Sequence, residues 1–213
     1  MKTVDLFKLT LVVSLFLGRL WGGGAAVPPP CSKIECPTYT VVYVGNGFEI
    51  RRYDSLWMST STIQGFSFLA GTQTGFTQLF NYIQGDNNEK KKIEMTAPVL
   101  TQITPSDGPF CESSFVVSFY VPEANQANPP LAKGLHTQNW VHKYAAVRQF
   151  GGFASDIGVA MEAAALETSL TGSSWYNVIK KSRNGTSVYT VAQYNSPFDF
   201  FNRINEILFI FDM

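Results

Sequence analysis

The sequence predicts an α+β fold in which two β-β-α-β-β halves form a distorted antiparallel β-barrel flanked by two helices. Runs of β-branched and aromatic residues with period-two alternation occur in pairs along the chain. Two segments with helical spacing each lie alone between such pairs. One helix per half is too few for a doubly wound parallel sheet, so the pattern favours an antiparallel barrel.

The first half begins with a hairpin over residues 39–54, in which apolar runs flank Gly45-Asn46-Gly47. A further strand is predicted over residues 56–63. The next segment has helical spacing and ends at Gly85; it predicts a first helix with one apolar face, formed by Leu69, Phe76, Leu79, Phe80 and Ile83. Two strands complete this half, KIEMTAPVLTQI (92–103) and SFVVSFYVP (114–122).

The second half repeats this order. A strand over residues 144–153 precedes a second helix from Ser155 to Leu170, with Ser155 or Asp156 as its cap and Gly172 at its end. Three further strands are predicted, YNVIKKS (176–182), VYTVAQYN (188–195) and NEILFIF (205–211).

The N-terminal residues 1–26 predict a secretory signal peptide. Lys2 and Lys8 precede an apolar run over residues 9–17, and small residues end the segment at Ala26. The run is about half as long as a spanning helix requires. We therefore expect a secreted, extracellular protein without a membrane span, with a Pro- and Cys-rich lead over residues 27–37. Asn184 begins an NGT glycosylation sequon in a turn-like context.

Charge argues against nucleic-acid binding. Removing residues 1–26 takes away three basic residues and one acidic residue, which leaves a slightly acidic chain rather than one with a basic surplus. The run KKKIEMTAPVL (90–100) is therefore interpreted as a strand with a solvated basic end, in which Ile93, Met95 and Ala97 share one face. On this interpretation Met95 packs and is not a metal ligand.

The sequence offers no recognisable active site and no metal site. It lacks a phosphate-binding glycine loop and a nucleophile elbow. His136 and His142 lie far from the cysteines, and the carboxylates of Glu94, Glu162 and Glu206 are scattered. These features favour a binding protein over an enzyme, and Glu206 is expected to satisfy a turn or pair with an arginine.

Phenylalanines gather at two places, on the first helix and in the loop YNSPFDFFNR (194–203). Core packing accounts for such residues in most proteins. A barrel capped by helices can also hold an apolar ligand at its rim, so the same residues favour a flat hydrophobic ligand. Composition leaves both interpretations open.

Six motifs, in order, resemble the SOUL haem-binding protein family, and most closely its plant members that carry a signal peptide. They are GFEIRRY (47–53), GFTQLFNYIQG (75–85), KKIEMTAPV (91–99), SFYVP (118–122), AVRQFGGF (146–153) and YTVAQYNSPF with RINEI (189–207). The resemblance assigns residues 38–213 to one SOUL-type domain. It implies the two-half barrel described above and a non-catalytic protein that binds haem or another tetrapyrrole in a shallow apolar cleft. We expect the protein to be a monomer.

The resemblance places this cleft between the first helix and the loop before the last strand. The ligand-binding residues that it implies are Thr72, Phe76, Leu79, Phe80, Ile83, Pro197, Phe198 and Phe200. Basic residues of animal members correspond to Thr72, Asn81 and Asp199, which cannot form charge-assisted bonds with porphyrin carboxylates. Binding is therefore expected to be weak and without a fixed axial residue, with Arg148, Arg203 or Lys181 as substitutes for the missing charges. The alternative is an extracellular interaction or scaffold protein that has a protein partner and a decayed porphyrin site.

The resemblance to plant members, together with the predicted strand edges, also implies a disulfide between Cys36 and Cys111. Pairing of Cys31 with Cys36 is the alternative; it would close a small N-terminal loop and stabilise the fold less.

Overall fold

The computed structural model describes residues 28–106 and 112–213. The predicted signal peptide and Cys111 lie outside these ranges. The strands are β1 (Tyr39–Val44), β2 (Glu49–Thr60), β3 (Ile63–Gly65), β4 (Val99–Thr104), β5 (Ser113–Tyr120), β6 (Leu135–Gly151), β7 (Tyr189–Gln193) and β8 (Ile204–Phe211). The helices are α1 (Phe68–Ile83), α2 (Glu123–Gln126), α3 (Asp156–Leu170) and α4 (Tyr176–Ser182).

Six strands close into an antiparallel barrel. Their order around it is β2-β6-β8-β7-β4-β5, and β5 pairs again with β2 through Trp57 opposite Tyr120. β1 extends the sheet beyond β2, and β3 adds to β5. The element orders β1-β2-β3-α1-β4-β5 and β6-α3-α4-β7-β8 confirm the predicted α+β barrel with flanking helices.

The barrel separates two kinds of core. Alternate residues of its strands point inward and form an interior cluster that contains Trp57, Leu100, Trp140 and Leu208. The other residues point outward and are covered by helices, as where Leu166 of α3 joins a cluster with Ile207 of β8.

Two glycines let α1 approach the barrel closely. A Cβ atom at Gly71 would lie 2.6 Å from the Phe115 ring, and one at Gly75 would lie 2.3 Å from Cγ2 of Val117. The face of α1 that turns to β5 is therefore set by Gly71 and Gly75, and Leu79 continues it at 0% exposure.

The second predicted helix is confirmed. α3 starts after Ser155, whose side chain accepts a hydrogen bond from the Gly158 amide, and Gly172 follows its end with a φ of 83°.

The predicted strand over residues 176–182 is wrong, because this segment is helix α4. Ile179 is its one buried residue and joins the cluster under α3, whereas Val178 is exposed. The helical turn places Ile179 and the partly buried Tyr176, three residues apart, against this cluster, whereas in a strand these two residues would lie on opposite faces. Lys180 and Lys181 lie in the last turn, where positive charge is favourable.

The predicted strand over residues 92–103 begins later than expected, at Val99. Thr96, Ala97 and Pro98 are buried in succession, so the alternation assigned to Ile93–Pro98 is wrong. The Thr96 hydroxyl donates to the Tyr120 carbonyl at 2.6 Å, and the Ala97 amide donates to the Glu35 carbonyl at 2.9 Å. Pro98 has no backbone N–H to donate to a neighbouring strand, so strand pairing starts after it. The three lysines are exposed, and Met95 packs in a cluster with Phe76, as predicted.

The disulfide prediction is also wrong. Cys36 is bonded to Cys31, with Cα atoms 5.6 Å apart, and so is not available to Cys111. A turn of 3₁₀ helix over Pro29–Ser32 brings the chain back on itself and places the two cysteines side by side.

Candidate functional site

One side of α1 remains partly open to solvent. Phe76 and Phe80 stack with ring centroids 5.8 Å apart and planes 14° from parallel, and Phe76 meets Phe119 edge-on at 5.4 Å. Thr72 lies one turn earlier, with its hydroxyl 2.9 Å from that of Thr101 on β4. We call Thr72, Phe76 and Phe80 the helix flank. Phe80 is 41% exposed, so this flank offers aromatic surface beside β4.

Two other residues expected in the cleft lie in the core. Leu79 is 0% exposed and Ile83 is 4% exposed, and both pack with Val117 and Phe119. Their side chains have no surface to offer a ligand. The apolar face predicted for the first helix therefore contains a buried row, Leu79 and Ile83, and a partly exposed row, Phe76 and Phe80.

The second predicted part of the site is the loop between β7 and β8, residues 194–203, which we call the β7–β8 loop. Arg203 fixes the backbone of this loop, because one of its guanidinium nitrogens donates to the carbonyls of Ser196 and Asp199, at 2.8 and 2.7 Å. The Ile204 amide also donates to the Asn195 side chain at 2.8 Å. The loop is therefore fixed at its base, although its apolar side chains point outward.

Three phenylalanines of this loop are exposed to an unusual degree. Phe198 is 83%, Phe200 67% and Phe201 85% exposed, and Pro197 is exposed beside them. Phe153, itself 60% exposed, lies 6.3 Å from the Phe200 ring, and the Arg203 guanidinium lies 4.6 Å from the Phe153 ring. Clustered exposed aromatic residues of this kind mark binding surfaces.

Strand pairing connects the two parts through β4 and β7. Val99 of β4 lies opposite Gln193 of β7, and Thr101 lies opposite Val191. Thr72 touches Thr101, and the β7–β8 loop starts directly after Gln193. The helix flank thus contacts β4, and the loop continues from its partner strand β7; together with Phe153 we call them the aromatic surface.

This surface has little positive charge. Thr72 and Asn81 are neutral, and the Asp199 carboxylate accepts a hydrogen bond from the Ser196 amide. The three predicted substitutes are engaged or lie elsewhere. Arg148 pairs with Glu162 at 2.8 Å under α3, Lys181 belongs to α4, and Arg203 is buried at the base of the loop.

Neither histidine can serve as an iron ligand at this surface. His136 pairs with Ser59 in the β2–β6 ladder, and His142 contacts the Asp54 carboxylate at 3.1 Å at a bulge in the same ladder. In the described ranges, no three side chains of the metal-ligating types His, Cys, Asp and Glu come together. The Met95 thioether is half-buried and packs against the same buried cluster as Phe76.

A polar network inside the barrel is centred on Glu206, for which the sequence predicts an arginine partner. Arg51 donates to the Glu206 carboxylate at 2.9 Å, and the Tyr194 hydroxyl donates to the other carboxylate oxygen at 2.8 Å. Burial and the Glu206 carboxylate raise the pKa of Tyr194, while Tyr53 and Glu206 hold the pKa of Arg51 above its ordinary value in spite of burial. The two hydrogen bonds join β2, β8 and the end of β7 through one buried carboxylate, so the network connects three parts of the barrel.

These features define a class of protein: a closed antiparallel barrel with helices packed on its outside and an aromatic surface beside one of them. Residues 34–210 match the family model described as "SOUL heme-binding protein". The chain is 36% identical over 194 residues to human "Heme-binding protein 2", covering 88% of this chain and 91% of the relative. It is 32% identical to the mouse protein of that name, over 76% of this chain and 77% of the relative.

Other likenesses are more distant. "Heme-binding protein 1" of Xenopus laevis is 26% identical, over 78% of this chain and 84% of the relative. A solved structure of a putative bacterial transcription regulation protein from Staphylococcus aureus superposes with a TM-score of 0.46 at 12% identity, over 79% of this chain and all of its own. The family match and the human relative are decisive: the chain belongs to the SOUL haem-binding protein family.

No helix in the described residues is both long enough and apolar enough to span a bilayer.

Proposed function

We propose that this protein binds haem or another flat tetrapyrrole on the aromatic surface, and that it does so as a binding protein rather than as an enzyme. One observation carries the proposal. A stacked, partly exposed phenylalanine pair on α1 and a pinned loop with exposed phenylalanines border the same strand pair of a SOUL-family barrel.

Apolar contact supplies most of the binding energy in this proposal. Covering exposed phenyl rings with a porphyrin face removes apolar area from water, at about 25 cal/mol per Å². Ring stacking adds roughly 0.5–1.5 kcal/mol for a well-placed aromatic pair. Because the surface contacts one face of the ligand and offers no cation at Thr72, Asn81 or Asp199, binding is weak compared with an enclosed haem pocket.

Iron contributes little in this proposal. Axial ligands in haem proteins are His, Met, Cys or Tyr side chains that face the cofactor. Both histidines lie on the β2–β6 ladder, so the aromatic surface holds the macrocycle and not the metal.

Titration of the purified protein with haemin and with protoporphyrin IX tests the proposal. We expect a Soret shift for haemin and quenching of tryptophan fluorescence for both ligands, with similar affinities. Absence of both signals at micromolar ligand would overturn the proposed function. Much tighter binding of haemin would show that iron is coordinated.

Matched variants locate the site. Phe80→Ser and Phe198→Ser each remove an exposed ring and should weaken protoporphyrin IX binding severalfold. Val178→Ser is the control, since Val178 is also 41% exposed but lies on α4, away from the aromatic surface. Equal effects of all three changes would contradict the proposed location.

The exposure of Phe198 and Phe201, at 83% and 85%, also favours a second function as an extracellular interaction or scaffold protein. In that case neither tetrapyrrole binds the wild-type protein, while a protein partner does. Partner binding that depends on Phe198 and Phe201, without any tetrapyrrole signal, would establish this second function.

We also propose that the protein is secreted, to the apoplast of a plant, after removal of residues 1–26. A bridge between Cys31 and Cys36 suits an oxidising compartment. Asn184 of the sequon is exposed in a turn after α4, where a glycan can be attached. N-terminal sequencing of secreted protein and a glycosidase mobility shift would test this; an intact N-terminus and an unshifted band would refute it.

A further inference from the structure

The two ends of the barrel differ. At one end the N-terminal lead covers the opening: Cys31, Ile34 and Cys36 pack against the interior cluster near Tyr194, the residue that follows β7. The other end, where β7 begins and β8 ends, contains a cavity of about 390 Å³. Cavities of this size fall within the range that small ligands occupy in proteins. We call this cavity the barrel mouth.

The floor of the barrel mouth is apolar. Trp140 of β6 and Leu208 of β8 belong to the interior cluster, and Ile210 packs against them. Thr190 and Gln102, on β7 and β4, add a hydroxyl and an amide to the wall. The apolar part of a ligand would therefore contact rings and methyl groups, with the polar groups of Thr190 and Gln102 on one side of it.

Two cations line the same cavity, and they differ in how far they are neutralised. Lys143 is paired at the rim with Asp212, at 2.6 Å. Arg183 has no carboxylate within 4 Å among residues 28–106 and 112–213. Its guanidinium donates to the Val188 carbonyl and lies 4.0 Å from the centre of the Phe209 ring.

Arg183 is thus a half-buried positive charge whose guanidinium has N–H donors that make no hydrogen bond to the described residues. A guanidinium carries five N–H donors, and the described contacts give Arg183 one hydrogen bond. Burial lowers the pKa of Arg183, and the more distant Glu167 opposes this effect. A carboxylate in the barrel mouth would supply the missing counter-charge and accept two hydrogen bonds.

We propose that the barrel mouth binds a small organic monocarboxylate, whose carboxylate pairs with Arg183 and whose aromatic or aliphatic body lies on Trp140, Leu208 and Ile210. The site lies at the end of the barrel away from the β7–β8 loop, where the segment before β7 joins the barrel strands in lining the cavity, and so is separate from the aromatic surface. Its occupation does not depend on tetrapyrrole binding.

A titration of ¹⁵N-labelled protein, with no tetrapyrrole present, tests this proposal. The probes are 4-phenylbutyrate and its neutral amide, 4-phenylbutanamide, which differ in charge but hardly in shape. We expect saturable shifts of the Trp140 indole N–H and of the Thr190 and Leu208 amides. The carboxylate should bind about 10- to 100-fold more tightly than the amide, the range that a hydrogen bond to a charged group supports.

Variants assign the effect to Arg183. Arg183→Gln should remove the preference for the carboxylate, and Arg183→Lys should restore part of it. Lys181→Gln is the matched control, because it removes the same charge from the end of α4 without lining the cavity.

Three results would overturn the proposal: no saturable shift at the barrel mouth with millimolar 4-phenylbutyrate, equal binding of acid and amide, or equal effects of Arg183→Gln and Lys181→Gln. The comparison of acid with amide on wild-type protein decides the question even if Arg183→Gln does not fold.

Discussion

Replacing Glu206 by glutamine tests whether the buried network holds the barrel together. The change preserves the shape of the side chain and removes its charge. Glu206 is 0% exposed and accepts hydrogen bonds from Arg51 and from Tyr194. A glutamine amide has one acceptor oxygen, so either the Arg51 guanidinium or the Tyr194 hydroxyl loses its acceptor.

The magnitude follows from the burial of Arg51. Its side chain is 6% exposed, so loss of the Glu206 charge leaves a buried cation whose one remaining ion pair among the described residues is with Glu49, at 2.8 Å. Breaking a buried ion pair on one side costs about 3–5 kcal/mol. Because Glu49 still compensates part of the charge, we expect a loss of about 3 kcal/mol, a large share of the stability of an ordinary domain.

The free energy of unfolding, measured by urea titration with tryptophan fluorescence and circular dichroism, checks this value. Glu49→Gln is the matched control, since its side chain is 36% exposed and its removal should cost about 1 kcal/mol or less. The double variant Arg51→Met/Glu206→Leu should recover stability relative to Glu206→Gln, because it leaves no buried charge unpaired. Equal costs for Glu206→Gln and Glu49→Gln would refute the reasoning.

Three further predictions concern α1, tyrosine ionisation and iron. Gly75→Ala should destabilise the protein by about 1–3 kcal/mol in the same urea assay, because the added methyl group would overlap Val117. Thr74→Ala, on the exposed side of α1, is the control and should not destabilise the protein. A stabilising effect of Gly75→Ala would contradict the close packing of α1 on β5. Burial raises the pKa of Tyr82 to about 12, and its hydroxyl donates to the Pro130 carbonyl. Between pH 10, about the pKa of tyrosine in the unfolded chain, and pH 12, the native state binds more protons than the unfolded state. The free energy of unfolding should therefore fall as pH rises through this window, and it should fall less steeply in Tyr82→Phe. An unchanged slope in this variant would refute the raised pKa of Tyr82. Met95→Leu should leave the Soret spectrum of bound haemin unchanged, because Met95 packs against the buried cluster under α1 rather than binding iron. A shifted band would show ligation.

The sequence predicted those parts of the fold that depend on local chemistry. Gly45-Asn46-Gly47 specifies the β1–β2 hairpin, and Ser155 and Gly172 mark the ends of α3, because turns and caps depend on neighbouring residues. The segment Tyr176–Ser182 predicts a strand but forms α4, because seven residues with mixed apolar positions fit both the strand period and the helix period.

The site was harder to predict because it depends on which side of a helix the sheet covers. Phe76, Leu79, Phe80 and Ile83 form one apolar stripe in the sequence, but only the barrel decides which of them remain exposed. The pair Gly71 and Gly75 is the signal that could have resolved this, since glycines four apart mark the side of closest approach. The Arg51–Glu206 pair, 155 residues apart, has no local signal at all.

The central claim, that a tetrapyrrole binds on the aromatic surface, is tested most directly by mapping amide shifts of ¹⁵N-labelled protein on addition of diamagnetic protoporphyrin IX. We predict the largest changes at Thr72, Phe76 and Phe80 and along residues 195–201, with little change at Trp140 or Thr190 in the barrel mouth. Saturable changes confined to the barrel mouth, or none in the helix flank and the β7–β8 loop, would contradict it.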